Sequence, residues 1–301
     1  MSDWIAKLSN LRVDRTRSTP APHKPLLLLA VIKLIEERFI YERNIYLSPE
    51  LAYQFLALWE VVASRGRQIG RVELPFYYLQ SDGVWELQAK PGYDDVLGSI
   101  RPRSVPGLLK VVAHAKVDAD LWKLITDKAG DCKAALISSN YFTNNEIIKL
   151  RSLFGLHVGD DPSVCVFENV ISVARDIRFR LSIVPLYRYT CSLCGIRILS
   201  PSGHTLVEAA HIHPHSKSRD DSIGNGFALC RNHHWAFDAG LWAVDDDYRA
   251  VISATSFSEQ GPPAVGLINY HSSKLMLDWI TDELRPRLDN FVWHRANVFQ
   301  G

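Results

Sequence analysis

Four residues limit what the second half of this chain can fold into: Cys191-x-x-Cys194 and, 35 residues further on, Cys230-x-x-His233. A two-residue gap lets both side chains of one turn point at a single ion. Two such turns supply the sulfur and nitrogen donors of a tetrahedral structural zinc site. Such a segment needs no large apolar core, because metal binding itself supplies folding free energy. The competing reading is two unrelated pairs of buried cysteines. The ordered spacing favours Zn2+, as does a surrounding texture rich in Gly, Asn and His with only short strand-like runs. The two remaining cysteines, Cys132 and Cys165, lie outside the pattern and read as small buried hydrophobes.

At 301 residues the chain is long enough for two folding units, and 47% hydrophobic residues exclude a wholly disordered polymer. Lys and Arg number 34 against 33 Asp and Glu, so the net charge is +1. That balance excludes a uniformly basic nucleic-acid binder but leaves room for local patches. The longest uncharged apolar run, Leu26 to Ile32, is far shorter than the roughly 18 residues of a membrane span. The opening MSDWIAKLSNLR lacks the layout of a signal peptide, and an odd cysteine count argues against a disulfide scaffold. The expectation is a soluble, cytoplasmic protein with no membrane partner.

The periodicity predicts an N-terminal unit over residues 1–142, a helical connector over 143–179 and a second unit over 180–301. APHKPLLLLAVIKLIEE reads as a buried central helix with Pro25 in its first turn. Ser48 caps a second helix running to Val62, and LPFYYL-QSDG-VWEL reads as a β-hairpin. Further helices are expected around Leu108–Ala115, Ala119–Thr126 and Cys132–Ser138. In the connector, NEIIKLRSLF and ENVISVARDIRFRLSIVPLY are helical, separated by a break from Gly155 to Pro162. An amphipathic stretch from Ser273 to Phe291 is expected to pack back on a core.

Between the two cysteine-bearing turns, VEAAHIHPHS places His211 on a short strand. SIGNGFALC places Asn225 in a glycine-flanked turn, and HHWAFDAG places His234 beside the zinc ligand His233. This region resembles HNH endonucleases of the ββα-metal fold, in the subgroup with AAHI-x-P, N-G-x-x-L-C and H-x-x-F-D-x-G. Those segments are Ala209–Pro214, Asn225–Cys230 and His234–Gly240, and the likeness spans residues 189 to about 252. The resemblance implies that His211 is the general base, that Asn225 fixes its ring, and that His234 ligates a catalytic Mg2+ or Mn2+. The chemistry agrees: an imidazole with an ordinary pKa of about 6.5 can take a proton from water near neutrality. Successive helical residues point about 100° apart, so His233 can face zinc while His234 faces the cleft. Many relatives carry an Asp immediately before the base, where this chain has Ala210. Glu208, Asp220, Asp221 and Asp238 are the carboxylates able to complete the metal shell. Strand alternation sets Glu208 on the face opposite His211, and Asp238 suits a second-sphere partner of His234 better than a direct ligand. His213 and His215 read as solvated or phosphate-contacting, and His204 as surface.

The N-terminal unit also carries a resemblance. LRVDRTRSTPAPHKPLLLLAVIKLIE and the PF-x-x-L-x-x-DG-x-W segment are similar to the domain joined to HNH modules in modification-dependent (type IV) restriction endonucleases, in the group that reads phosphorothioate DNA. A phosphorothioate carries one soft, poorly hydrated sulfur, so a shallow apolar pocket edged by cations would tell it from phosphate. His23, Lys24 and Pro25 offer that mixture at a helix N-terminus. Arg12, Arg15, Arg17, Arg65, Arg67, Arg71, Arg101 and Arg103 form clusters able to meet phosphates, and one of Tyr77 and Tyr78 is expected to be exposed, Tyr78 being the candidate DNA contact. The competing reading of each cluster is a solvated face.

The resulting expectation is an α+β protein: a mixed helical and β-hairpin DNA-reading domain followed by a zinc-stabilised ββα-metal HNH nuclease. Its partner is double-stranded DNA, phosphorothioate being the favoured mark, with a homodimer as the simplest way to cut both strands. A methylated base or an unmodified sequence as the target is one alternative, and a non-catalytic DNA-binding protein another.

Overall fold

In the computed structural model, residues 4–16, 19–65, 70–157, 168–262 and 265–301 are described, with backbone alone for 168–171. Two compact units emerge, one from the N-terminus to Ile177 with residues 200–204, the other from Arg178 to Leu199 and Thr205 to Gly301. The architecture is mixed α and β with three small sheets. No helix among the described residues is long and apolar enough to cross a membrane.

The first unit is built around α2 (His23–Glu36), which follows the short α1 (Trp4–Ser9). Every residue from Lys24 to Ile32 is buried, which matches an apolar sequence with no polar face. After β1 (Asn44–Ile45), Ser48 caps α3 (Pro49–Trp59) by accepting a hydrogen bond from Leu51 N, and the chain continues in a tight 3-10 turn to Arg65. The expected hairpin is half helix: α4 (Glu73–Tyr78) precedes a 3-10 turn, and only β2 (Trp85–Ala89) is a strand. Gly83, at φ +70°, ends the turn, and Trp85 Nε1 donates to Phe76 O at 3.0 Å. The Ser-Asp-Gly signal therefore marks a helix-to-strand reversal, with the aromatic residues before it packed as one helical face.

Beyond α5 (Asp94–Leu97), α6 (Val105–Val111) begins before Leu108 and ends about one turn before Ala115. It passes directly into β3 (Val112–Val117), the middle strand of an antiparallel sheet ordered β1-β3-β2. Trp85 pairs with Val117 and Leu87 with Ala115. Leu108–Ala115 is expected to be helical; its second half, from Val112, is instead recruited to the sheet centre, where tertiary pairing outweighs local helix propensity. The two helices expected after it are joined in α7 (Ala119–Ile137), kinked at Lys128. α8 (Asn144–Leu153) starts in a capping box formed by Thr143 and Glu146, and α9 (Glu168–Leu186) follows. The expected break between them is partly visible at Gly155; its continuation to Pro162, with Cys165, lies outside the described residues.

In the second unit β4 (Val207–His211), α10 (His215–Ser218), β5 (Gly226–Cys230) and α11 (Arg231–Asp238) make a ββα element. β4 and β5 are antiparallel, pairing Val207 with Cys230 and His211 with Gly226. The hairpin of β6 (Trp242–Val244) and β7 (Ala250–Ile252) follows, and α12 (Leu288–Asn297) closes the chain. The core gathers Phe179, Ile183, Tyr187, Phe227, Phe237, Trp242 and Phe291. The stretch from Ser273 packs back as expected through Leu275, Leu277, Ile280 and Phe291, although before Leu288 it holds only a short 3-10 turn, Asp282–Leu284. Gly240, at φ +71°, ends α11 where any β-carbon would strike the carbonyl of Val298.

Candidate active site and metal centre

Local backbone geometry brings the four zinc-type donors together. Gly195, at φ +72°, turns the chain after Cys194, and its N–H donates to Cys191 O at 2.9 Å. Cys230 is both the last residue of β5 and the N-cap of α11, so His233 sits one helical turn along the same face. Cys194 Sγ lies 4.0 Å from Cys230 Sγ, and His233 Nδ1 lies 3.5 Å from Cys191 Sγ and 3.3 Å from Cys230 Sγ. All four donor atoms fall within 4.8 Å of one another. Bonds of about 2.3 Å to sulfur and about 2.0 Å to nitrogen in a tetrahedron put neighbouring donors roughly 3.5–3.8 Å apart, so the cluster fits zinc in both donor type and size. Crowding makes these groups ionise unequally. Hydrogen bonding with Cys194 and Cys230 pushes the Cys191 thiol up, and hydrogen bonding with Cys191 and Cys194 pulls Cys230 down. Burial opposes charge on His233, yet Cys194 and Cys230 raise it to about 9. Trp242 Nε1 donates to His233 O at 3.1 Å and steadies that turn.

A cavity of about 310 Å³ opens beside the cluster, lined by Ala209, His211, Pro214, His234, Asp238 and His294 among others. The expected base and the expected ion-binding imidazole thus face one space. His211 ends β4 and lies flat on Phe179, with ring centroids 3.8 Å apart and planes 5° apart. Its Nε2 is 2.9 Å from Asp221 Oδ1, and His215 Nε2 is 3.4 Å from Asp221 Oδ2. Gly226, opposite His211 in the ladder, permits the stack, because a β-carbon there would lie 2.6 Å from Phe179 Cζ.

Asn225 is fully buried but acts elsewhere than expected. Its Oδ1 accepts from His213 N at 2.9 Å, and its Nδ2 donates to His213 O at 2.9 Å and Asp220 O at 2.8 Å. With both amide hydrogens used, the side chain clamps the 213–220 loop and leaves the ring of His211 to Phe179 and Asp221. The bland reading of His213 is also revised: its ring stacks on Trp293 at 3.7 Å.

His234 is held between two carboxylates: Glu208 Oε2 is 3.1 Å from Nδ1, and Asp238 Oδ2 is 3.4 Å from Nε2. Strand alternation argued against Glu208. Its side chain nevertheless reaches α11, where it also accepts from Arg231 Nε at 3.0 Å. Surrounding protein raises the Asp238 carboxyl above its ordinary range, opposed by the nearby charges of His234 and His211. An imidazole and two carboxylates are a suitable donor set for a hard divalent ion. They flank opposite nitrogens, however, and among the described residues only the Cys191, Cys194, Cys230 and His233 group converges tightly.

His294 was not singled out in the sequence. It is buried, its Nε2 donates to Phe237 O at 3.1 Å, and desolvation lowers its pKa to about 4, which keeps the ring neutral. The missed signal was its helical spacing from Phe291, three residues earlier, which puts both on the inner face of α12. Phe179 had no local signal at all, since its role depends on a glycine 47 positions away.

In the first unit the expected DNA-reading residues separate. Tyr78, Arg101 and Arg103 are exposed, with the buried Tyr77 packed edge-on against Tyr78. His23 is half-buried against Trp59, with ring centroids 4.5 Å apart. Lys24 and Pro25 are buried, and Lys24 Nζ pairs with Asp82 Oδ2 at 2.6 Å. Lys24 and Pro25 thus lie in the interior of this unit, Lys24 through its ion pair. Arg65 is likewise internal, bound to Glu146 and to the carbonyls of Pro20 and Tyr141. Arg12 and Arg15 are exposed, Arg71 bonds Glu73 and Arg103 O, and Arg17 and Arg67 lie outside the described residues.

Residues 191–245 match the HNH endonuclease family, a span that holds all four zinc-type donors with His211, Asn225 and His234. Residues 1–157, just over half of the chain, match the ScoMcrA-like DNA sulfur-binding domain family. The chain belongs to the ScoMcrA-like DNA sulfur-binding domain family. The sulfur-binding match coincides with the unit built around α2, and the HNH match covers the ββα element with its nuclease signature. Among solved structures, a "Modification dependent TagI restriction endonuclease" is similar at 22% identity and a TM-score of 0.32, over 40% of this chain and 37% of that one. The chain therefore spans well under half the length of that protein. No curated protein matches it.

Proposed function

We propose that this chain is a modification-dependent endonuclease that reads phosphorothioate in double-stranded DNA through its sulfur-binding domain and hydrolyses a phosphodiester bond with its HNH domain. The observation that carries the catalytic half is the shared cavity: His211 and His234 both line it, and His234 directly follows His233 of a cluster fitted for zinc. His211 takes the proton of the attacking water, a task suited to a neutral imidazole near pH 7. His234, with Glu208 or Asp238, would hold a divalent ion, Mg2+ or Mn2+, which when bound neutralises charge on the phosphate. Cys191, Cys194, Cys230 and His233 would hold structural Zn2+. Asn225 keeps the loop that shapes the cavity wall. Tyr78, Arg101, Arg103 and His23 are the DNA contacts of the first domain under this reading, with the arginines meeting phosphates and the aromatic rings offering the soft surface that sulfur prefers.

The test is to incubate the full chain with matched duplexes that carry one phosphorothioate, a methylated base or neither, in Mg2+ and in Mn2+. Sulfur-dependent cutting that His211→Ala abolishes, without loss of binding, is the expected result. Cutting of methylated or plain duplex alone would overturn the choice of mark. Cutting by the His211→Ala chain would overturn the choice of base.

A further inference from the structure

We infer that Asp221 is the positioning residue of the nuclease site, holding His211 in the tautomer that leaves Nδ1 as the base, with His215 fixing the second oxygen of the same carboxylate. The inference deepens the proposed function and rests on His211 being the base. In this fold the ring needs an orienting partner, and Asn225, whose amide hydrogens go to His213 O and Asp220 O, does not supply it. Asp221 does. Its Oδ1 sits 2.9 Å from His211 Nε2, and both side chains are largely shielded, at 23% and 16% exposure. A carboxylate is only an acceptor, so Nε2 must carry the proton and Nδ1 the lone pair. Phe179 blocks one face of the ring and fixes its plane. His215 Nε2, 3.4 Å from Asp221 Oδ2, approaches the other carboxylate oxygen. The two histidine rings lie 6.1 Å apart and form no converging metal group with Asp221.

The arrangement assigns the proton's path. A water O–H bond breaks, its proton goes to Nδ1, and the freed electron pair forms the new P–O bond as the bond to the leaving oxygen breaks; that oxygen keeps the bonding pair and takes a proton from solvent. Asp221 keeps its charge throughout and acts as counter-ion to the imidazolium. His215 and Asp238 also interact with this pair, and His234 lines the same cavity.

The experiment compares Asp221→Asn and Asp221→Ala with the unaltered full chain and with His211→Ala. Long-range proton–nitrogen correlation on chain carrying 15N-labelled histidines should show His211 as the Nε2–H form in the unaltered protein, with that preference lost in Asp221→Ala. Single-turnover cleavage should fall about 10- to 100-fold in both Asp221 variants, the range typical for loss of a ring-orienting partner, with KM for the duplex unchanged. An Nδ1–H tautomer in the unaltered chain, or Asp221 variants that cut at the normal rate, would overturn the inference. Failure of the base assignment reads differently, as undiminished cutting by His211→Ala.

Discussion

Replacing Arg65 by Met separates two roles that its sequence position leaves open, a phosphate contact and a structural one. Its side chain is only 6% exposed, against 4% for Glu146. The guanidinium makes two bonds to that carboxylate, at 2.8 and 2.6 Å, and one each to Pro20 O and Tyr141 O. Removing one partner of a buried pair leaves a desolvated carboxylate behind, which typically costs about 3–5 kcal/mol. Glu146 keeps its bond from Thr143 N at 2.8 Å, so the lower end, about 3 kcal/mol, is the appropriate value. For a unit of this size that lowers Tm by roughly 6–12 °C. Calorimetry of the full chain measures it, and Arg65→Met with Glu146→Leu should regain most of the loss because no charge is stranded. The pH sign follows from Glu146. Burial pushes its carboxyl up, but bonds from Arg65 and Thr143 and the guanidinium charge bring it below the ordinary range. Its stabilising effect is therefore complete above the unfolded pKa and disappears as pH falls through the lower folded value. DNA binding gives the second arm: a phosphate contact would reduce the salt slope by about 0.9, and an internal arginine leaves it unchanged. An unaltered Tm with a shallower salt slope would refute the structural assignment.

Three further outcomes follow from the second unit. Cys194→Ser should remove one equivalent of zinc per chain by elemental analysis and unfold the ββα element, visible as lost near-ultraviolet signal from Trp242; retained zinc at full stoichiometry would exclude Cys194 as a ligand. Gly226→Ala places a methyl against Phe179 and Ile183, which should destabilise the unit by about 1–3 kcal/mol in denaturant melts. It should also slow cleavage by tilting His211, so equal stability and rate would show that the stack is dispensable. His234→Ala should weaken binding of the divalent ion by calorimetric titration while leaving zinc content intact, and simultaneous loss of both would mean the two sites are one.

What the sequence revealed depended on the range of the interaction. The zinc-type cluster and the identity of the ββα element were legible because their donors lie at fixed short spacings within single turns. The central helix was legible because a run of leucines with no polar face has no other home. The hairpin over LPFYYLQSDGVWEL was misread because aromatic residues suit both a strand and a packed helix, and only the pairing of Trp85 with Val117 decides which half is extended. The helix expected through Ala115 failed the same way: VVAHAKV is claimed by two strands distant in sequence. Lys24 and Arg65 looked like surface cations because no local pattern announces that Asp82 or Glu146 will meet them in the interior.

The misplacement of Glu208 and Asn225 has a single cause, and it bears on how the site works. Glu208 was judged from the face its strand presents and Asn225 from the family resemblance, and neither reading includes the packing around the ββα element. In the folded unit α11 packs across β4, so the four-atom reach of Glu208 brings its carboxylate to His234 despite the strand face it starts from. The loop between the strands folds back on Asn225, so the amide that would have reached a ring is consumed by three backbone groups. With the amide committed to the loop, the His211 ring is left with Phe179 and Asp221, one from α9 and one from the loop that Asn225 itself braces. The asparagine thus influences His211 through the placement of Asp221. On that logic Asn225→Ala should disorder the 213–220 loop and weaken cutting at least as much as loss of Asp221 itself, because it removes the carboxylate's support as well as its position.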